Sequence, residues 1–182
     1  MRVIAGKAKG RRLAAPETLD TRPVTDRVKE AVFSSIGDWV VDADVADLYA
    51  GAGSFGLEAL SRGARSALFV ENGRRALEAL KKNIGTVGLG GDVSPVKVRQ
   101  FLEGNEKLFH IVFIDPPWPL PAEELEADFA LLDRFLVDRA EVIASRRHSD
   151  RVPVAPENWR VATEKRYGDT RIVRYEKKAE AQ

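Results

Sequence analysis

Residues Asp115, Pro116, Pro117 and Trp118 stand directly after the apolar run Ile111-Val112-Phe113-Ile114 and are the part of the chain best suited to do chemistry. An apolar run that ends in an acid, two prolines and an aromatic ring reads as a buried strand delivering a rigid polar clamp to a sheet edge. Proline cannot continue the ladder and fixes its own backbone, so the carbonyls around it point outward. Asp115 supplies a hydrogen-bond acceptor and Trp118 a flat face, a combination suited to a planar base carrying an exocyclic amine. The competing reading is a Pro-rich turn in which Trp118 merely covers apolar surface, and four residues alone leave both open.

A second motif lies upstream. Residues 44–49 read as a short strand, followed by Ala50-Gly51-Ala52-Gly53-Ser54-Phe55-Gly56 and a helix running towards Arg62-Gly63. This is the opening of a βαβ unit. Glycines let the backbone turn sharply and approach a ligand, and the helix start presents unpaired N–H groups. The next apolar run, residues 67–70, ends at Glu71, whose carboxylate can accept from both hydroxyls of a ribose. Gly51-x-Gly53-x-x-Gly56 also satisfies the dinucleotide fingerprint, so a nicotinamide enzyme competes. Asp47, four residues before Gly51, would set a carboxylate beside a pyrophosphate, little chain remains for a separate substrate domain, and the Asp-Pro-Pro-Trp clamp has no task in hydride transfer. S-adenosylmethionine carries a sulfonium and an ammonium, and acids around the loop suit it better. On this reading the Gly51–Gly56 backbone faces the methionine moiety, Asp47 reaches its ammonium, and Glu71 holds the ribose.

With both motifs in view, the chain resembles the RsmD-type methyltransferases, which methylate the exocyclic N2 amine of a guanine in small-subunit (16S) ribosomal RNA. The likeness is carried by Met1-Arg2-Val3-Ile4-Ala5-Gly6 and by Arg22-Pro23-Val24-Thr25-Asp26-Arg27-Val28-Lys29-Glu30. It continues through Leu48-Tyr49-Ala50-Gly51-Ala52-Gly53, Gly56-Leu57-Glu58-Ala59-Leu60-Ser61-Arg62-Gly63-Ala64, Glu71, Asn83, Phe101-Leu102, the clamp, and Lys165, Tyr167-Gly168 and Thr170. The resemblance implies S-adenosylmethionine as cofactor, no metal, and Asp115, Pro116, Pro117 and Trp118 as catalytic residues. It implies cofactor contacts from Asp47, Tyr49, Gly51, Gly53, Ser54, Phe55, Gly56, Glu71, Asn72, Gln100 and Phe101, although packing is the more usual role of a residue such as Phe55. The segment with Arg22, Thr25 and Arg27 lies near the active site in the family. The implied partner is ribosomal RNA in the small subunit or an assembly intermediate, met by a cytoplasmic monomer. Three positions depart from the pattern: Arg99-Gln100 replaces an Asp or Asn that reads the cofactor adenine, Asn72-Gly73 replaces a second acid, and Ser145 falls where many members have Glu.

Charge distribution agrees with an RNA partner. The net charge of +1 hides eight Lys/Arg against four acids in residues 1–30, ten against five in residues 145–178, and a net −7 between them. Basic ends around an acidic centre suit a polyanion held at the edges and a cationic cofactor in the middle. Arg2, Lys7, Lys9, Arg11 and Arg12 form the densest group and are the expected RNA contacts, with Arg22, Thr25 and Arg27 beside them. Cysteine is absent, and the two histidines (His110 and His148) form no ligand cluster. No apolar stretch approaches the ~20 residues a membrane helix needs, and the start has no signal-peptide character.

The elements that must position these residues follow from pattern. Strands at 2–5 and 11–14 form a basic N-terminal hairpin extension (residues 1–22), and residues 179–182 a tail. The methyltransferase domain spans 23–178. It begins with a helix capped by Thr25 and stopped at Gly37. Strands are expected at 44–49, 66–71, 95–99, 110–115 and 140–145, helices at 55–62, 73–84 and 122–136, and a closing hairpin at 158–167 and 170–176. Such alternation implies a Rossmann-like α/β fold: a mostly parallel seven-stranded sheet, helices on both faces, and an antiparallel C-terminal hairpin. Ligands then bind beyond the carboxyl ends of the strands, where Asp47, Glu71 and Asp115 converge. Alternative activities are adenine-N6 methylation of RNA or DNA, and a catalytically impaired RNA-binding assembly factor.

Overall fold

The computed structural model describes residues 1–15 and 25–179. The expected helix is present as α1 (Asp26–Ile36), where the Thr25 hydroxyl accepts from the Val28 N–H and Gly37 terminates the last turn. Five strands alternate with helices: β1 (Asp44–Leu48), α2 (Ser54–Ser61), β2 (Ser66–Val70), α3 (Arg74–Val87), β3 (Asp92–Ser94), α4 (Val98–Gly104), β4 (Phe109–Ile114), α5 (Ala122–Leu132) and β5 (Leu136–Arg147). The hairpin β6 (Trp159–Tyr167) and β7 (Thr170–Lys177) closes the chain.

The strand order is β3-β2-β1-β4-β5-β7-β6, parallel except where β7 lies antiparallel between β5 and β6. Winding reverses between β1 and β4, so the crevice opens at the carboxyl ends of these two central strands. Alternate residues divide the core into two layers. Val45, Phe69, Ile111, Phe113 and Ile143 face α1, α2 and α3, whereas Leu48, Val112, Ile114 and Val142 face α4 and α5. No helix among the described residues is long and apolar enough to cross a membrane.

Two boundaries differ from the pattern reading. The third strand is residues 92–94, paired with Leu68–Val70, and not 95–99. Pro95 stops the ladder there, and Val98 and Leu102, four apart, bury one face of α4 instead. The fifth helix ends at Leu132 because the following turn is held by β6 and β7. Asp133 Oδ1 accepts from Asn158 and from the Trp159 indole, and its carbonyl accepts from Lys177. Leu136 is thereby released to pair with Phe109.

The N-terminal arms pair antiparallel through a single bridge, Arg2 with Arg12. A longer ladder does not form because the backbone donors are used by α2: Ile4 and Ala5 N–H groups donate to the Glu58 carboxylate at 2.7 and 3.0 Å, and Ala8 N–H to Ser61 Oγ at 2.9 Å. Glu58 is wholly buried, with Lys29 Nζ at 3.5 Å and Arg62 Nε at 2.8 Å. Lys29, equally buried, also donates to the Arg2 carbonyl and to Ser54 Oγ. Burial lowers the Lys29 ammonium below the usual lysine range, while Glu58 pulls it back up. One charge network thus joins the N-terminus, α1 and α2. Glu58→Ala is expected to cost ~3–5 kcal/mol in urea unfolding, since it strands a buried ammonium. Arg2→Ala, which breaks the exposed Arg2–Asp26 pair, should cost at most ~1 kcal/mol. Equal effects would show that the buried network is not what ties these elements together.

Candidate active site

Parallel register places the site. Leu48 pairs with Val70 on one side and Ile114 on the other, so Tyr49, Glu71 and Asp115 emerge side by side at the strand ends. Asp47 lies one residue inside the β1 terminus and is buried. Its Oδ2 accepts the Gly56 N–H at 2.8 Å, satisfying a donor in the first turn of α2. Burial pushes the Asp47 carboxyl well above the usual range, Gly56 opposes this, and the fields of Asp115 and Glu71 push it further. The three acids therefore do converge on one crevice. The observed partner of Asp47 is the glycine loop itself.

Glu71 is half-buried and braces both sides of the crevice. Oε2 accepts from Gly51 N at 2.9 Å and Oε1 from Gly73 N at 2.6 Å. A carboxylate has about four acceptor sites, which leaves capacity for a hydroxyl pair. Asn72 beside it is exposed.

The loop glycines have separate tasks. A Cβ on Gly51 (φ +55°) would enter open space, so no neighbouring side chain packs on the backbone there. One on Gly56 would lie 2.4 Å from the Phe69 ring, and one on Gly53 2.5 Å from Leu80 Cδ1, so these two permit close packing of α2 on β2 and of the loop on α3. The Phe55 side chain is likewise spent on the core, stacked on Phe113 with ring centroids 4.9 Å apart, and it does not reach the crevice. Ser54 opens α2 and accepts from Lys29. Asn83, fully buried in α3, donates to the carbonyls of Ala14 and Ala52 and accepts from Ala14 N–H, tying the N-terminal arm to the loop.

In the clamp, Asp115 is half-buried and Pro116 buried, while Pro117 is exposed. Burial raises the Asp115 carboxyl, and the Ser145 hydroxyl, which donates to Oδ1, lowers it. The Pro117 carbonyl accepts from Leu120 N–H at 2.9 Å, closing a turn. Trp118 is half-buried, with the Arg147 guanidinium 4.5 Å from its ring centroid.

The α4 side of the crevice has an arrangement that the sequence pattern did not reveal. Gln100 is exposed on α4 and Phe101 half-buried against the core. Arg99 pairs with Asp128 of α5 at 2.8 Å, and the Tyr49 hydroxyl donates to the same carboxylate at 2.8 Å. Burial raises the Asp128 carboxyl, which Tyr49 and Arg99 lower, and burial beside that carboxylate raises the Tyr49 phenol. This bond holds Tyr49 in a left-handed conformation (φ 59°) at the start of the loop. The available clue was an acid on the buried stripe of α5, between Leu125 and Phe129.

Of the expected RNA contacts, Arg2, Lys7, Lys9, Arg12 and Arg27 are exposed. Thr25 is the α1 cap. Arg11 donates to the Thr86 and Val87 carbonyls, stabilising the end of α3. Arg22 lies outside the described residues. Among those described, no cluster of three or more acids and histidines is placed to hold a metal ion.

A parallel sheet in this order, an antiparallel seventh strand and an acidic crevice beyond β1 and β4 define the class I methyltransferase fold. The same fold occurs, at a TM-score of 0.68 and 10% identity, in a methyltransferase solved in complex with SAH, over 79% of this chain and 48% of that one. A family model described as "Conserved hypothetical protein 95" matches residues 1–176. Ribosomal RNA small subunit methyltransferase D of Escherichia coli (strain K12) is 33% identical over the whole of this chain and 92% of that protein. A solved E. coli methyltransferase superposes with a TM-score of 0.88 at 33% identity, over 99% of both chains. The chain belongs to the RsmD family.

Asp47→Ala should cost ~1–3 kcal/mol in thermal or urea unfolding, because the buried Gly56 N–H loses its acceptor. Asp47→Asn keeps an acceptor oxygen and should unfold close to wild type. Equal destabilisation by both changes would show that charge at Asp47, and not the loop bond, is what the fold requires.

Proposed function

We propose that this protein transfers a methyl group from S-adenosylmethionine to the exocyclic N2 amine of a guanine in small-subunit (16S) ribosomal RNA. The observation that carries this reading is the placement of Asp115 at a strand tip beside two other acids, followed by the Pro116-Pro117-Trp118 turn. The curated relative from E. coli, which carries that activity class in its name, supports the RNA as substrate. S-adenosylmethionine, when bound, supplies an electrophilic methyl on a sulfonium.

The crevice fits such a cofactor. Burial, and then the charges of Asp115 and Glu71, raise the affinity of Asp47 for protons, and such a group of acids favours a cation beside it. Open space over Gly51 admits a ligand against the backbone. Glu71, with acceptor capacity left beyond the Gly51 and Gly73 N–H groups, receives the ribose hydroxyls, and Tyr49, braced by Asp128 and Arg99, shapes the far wall.

The chain's own residues have the harder task of presenting a poor nucleophile. The lone pair of a guanine amine is delocalised into the ring, so the amine must be held in line with the methyl and drawn towards tetrahedral geometry. Asp115 and the Pro116 carbonyl accept its two N–H bonds. Trp118 stacks on the ring, an interaction worth ~1–3 kcal/mol per base. Holding reactants in place can lower a barrier by ~7–11 kcal/mol, more than a single acid–base contribution. Asp115 thus acts chiefly as an oriented acceptor and takes the proton late. The target base must be unpaired or extruded from its helix to reach the clamp.

Tritiated methyl transfer to small ribosomal subunits, followed by nucleoside digestion, should yield N2-methylguanosine; N6-methyladenosine would overturn the base assignment. The rate should require the Asp115 carboxylate. Because burial raises its affinity for protons, activity should fall with acid at a pH above the ordinary aspartate range of ~3.9. Ser145→Ala removes the hydroxyl that lowers Asp115, so its pH–rate profile should shift to higher pH. An acid limb that stays in place would remove Asp115 from the reacting centre.

A further inference from the structure

The clamp belongs to a row of side chains that continues across the C-terminal half of the sheet. Ile114 pairs with Ala144, so Asp115 stands next to Ser145, and their hydrogen bond confirms the adjacency. Ser145 pairs with Ile172, and Ile172 with Lys165. Two residues further along β5, Arg147 pairs with Thr170, and Thr170 with Tyr167. Directly paired residues project to one face of a sheet, and so do residues two apart on a strand. Asp115, Ser145, Lys165, Arg147 and Tyr167 therefore share a face. It is the α1 face, since Lys165, Tyr167, Thr163 and Arg174 line a shallow cleft together with Val32 and Ser35 of α1.

This face has the chemistry of a single-strand track beginning at the clamp. Arg147 and Lys165 are exposed, and Tyr167 is half-buried between them. Cations interleaved with an aromatic ring bind backbone phosphates and stacked bases without needing sequence contacts. A guanidinium seated on an indole, as Arg147 is on Trp118, keeps its in-plane N–H donors for a phosphate. The N-terminal basic turn has a different position. Lys7 N–H donates to the Ser61 carbonyl and Arg11 to Thr86 and Val87, at the ends of α2 and α3 far from the glycine loop. A helix of eight residues separates that turn from the crevice by about 12 Å.

We propose that the RNA strand carrying the target nucleotide approaches over the α1 face of β5, β6 and β7, with Arg147 and Lys165 on the flanking phosphates and Tyr167 under a neighbouring base. This rests on the reading of the clamp as a site for an RNA base. The test is titration of an in vitro transcript of small-subunit ribosomal RNA across a series of salt concentrations, with calorimetry of S-adenosylmethionine alongside. The double variant Arg147→Ala/Lys165→Ala should bind the transcript about tenfold more weakly at 0.1 M salt. Its log–log salt slope should be shallower by about 1.4, two phosphates at ~0.7 each for a single strand. Cofactor affinity should not change. Tyr167→Leu should weaken binding severalfold with no change in slope. The Lys7→Ala/Lys9→Ala protein should stay within about twofold of wild type. An unchanged slope in the Arg147/Lys165 variant, a larger loss from the N-terminal pair, or no binding by wild type would each overturn the proposal. RNA binding of the expected form without saturable cofactor binding would support the surface while overturning the methyl-transfer reading.

Discussion

Three carboxylates at the tips of adjacent parallel strands are held closer than their charges favour, and the rest of the structure is arranged around that constraint. Asp47, Glu71 and Asp115 come from β1, β2 and β4, whose register leaves them no other place. Burial foremost, and then the charges of Asp115 and Glu71, raise the proton affinity of Asp47. Each acid is also steadied by a neutral donor: Gly56 N–H for Asp47, Gly51 and Gly73 N–H for Glu71, the Ser145 hydroxyl for Asp115. Neutral donors orient a carboxylate without cancelling its charge. An arginine in any of those places would have abolished that negative field.

The cationic side chains are placed with the opposite logic. Lys29 and Arg62 neutralise Glu58 behind the glycine loop, and Arg99 neutralises Asp128 behind Tyr49. These ion pairs lie one layer outside the crevice and fix the elements that form its walls. Breaking such a pair costs more than making it gains, because a lone buried charge remains. These networks therefore act as locks on geometry more than as sources of net stability. Asn83 extends the same frame to the N-terminal arm through the Ala52 carbonyl. The arm is consequently part of the support of the loop.

Much of this was legible in the chain itself. Strand-length apolar runs, the Thr25 cap, the glycine loop and the proline-bearing clamp are local signals, and local sterics and hydrogen bonding decide them. The alternation of strands and helices was enough to indicate a parallel sheet, and the sheet then dictated that Asp47, Glu71 and Asp115 meet. Where the pattern failed, Leu136 was drawn from helix into strand by its distant partner Phe109, and β3, paired with β2 over residues 92–94, was cut short by Pro95.

What only the tertiary structure decided is which member of each polar set does which task. Periodicity cannot distinguish a glycine that faces open space from one that admits Phe69, because both look alike until α2 is packed on β2. Nor could charge counting tell that Arg11 caps α3 while Arg147 covers Trp118, since both depend on residues more than twenty-five positions away. The chain alone determined the fold class and the chemistry of its two motifs, because those rest on backbone preferences and side-chain type at short separation. The assignment of individual side chains to site, frame or surface came from packing, which sets the burial and the neighbours on which a side chain's charge and hydrogen bonding depend.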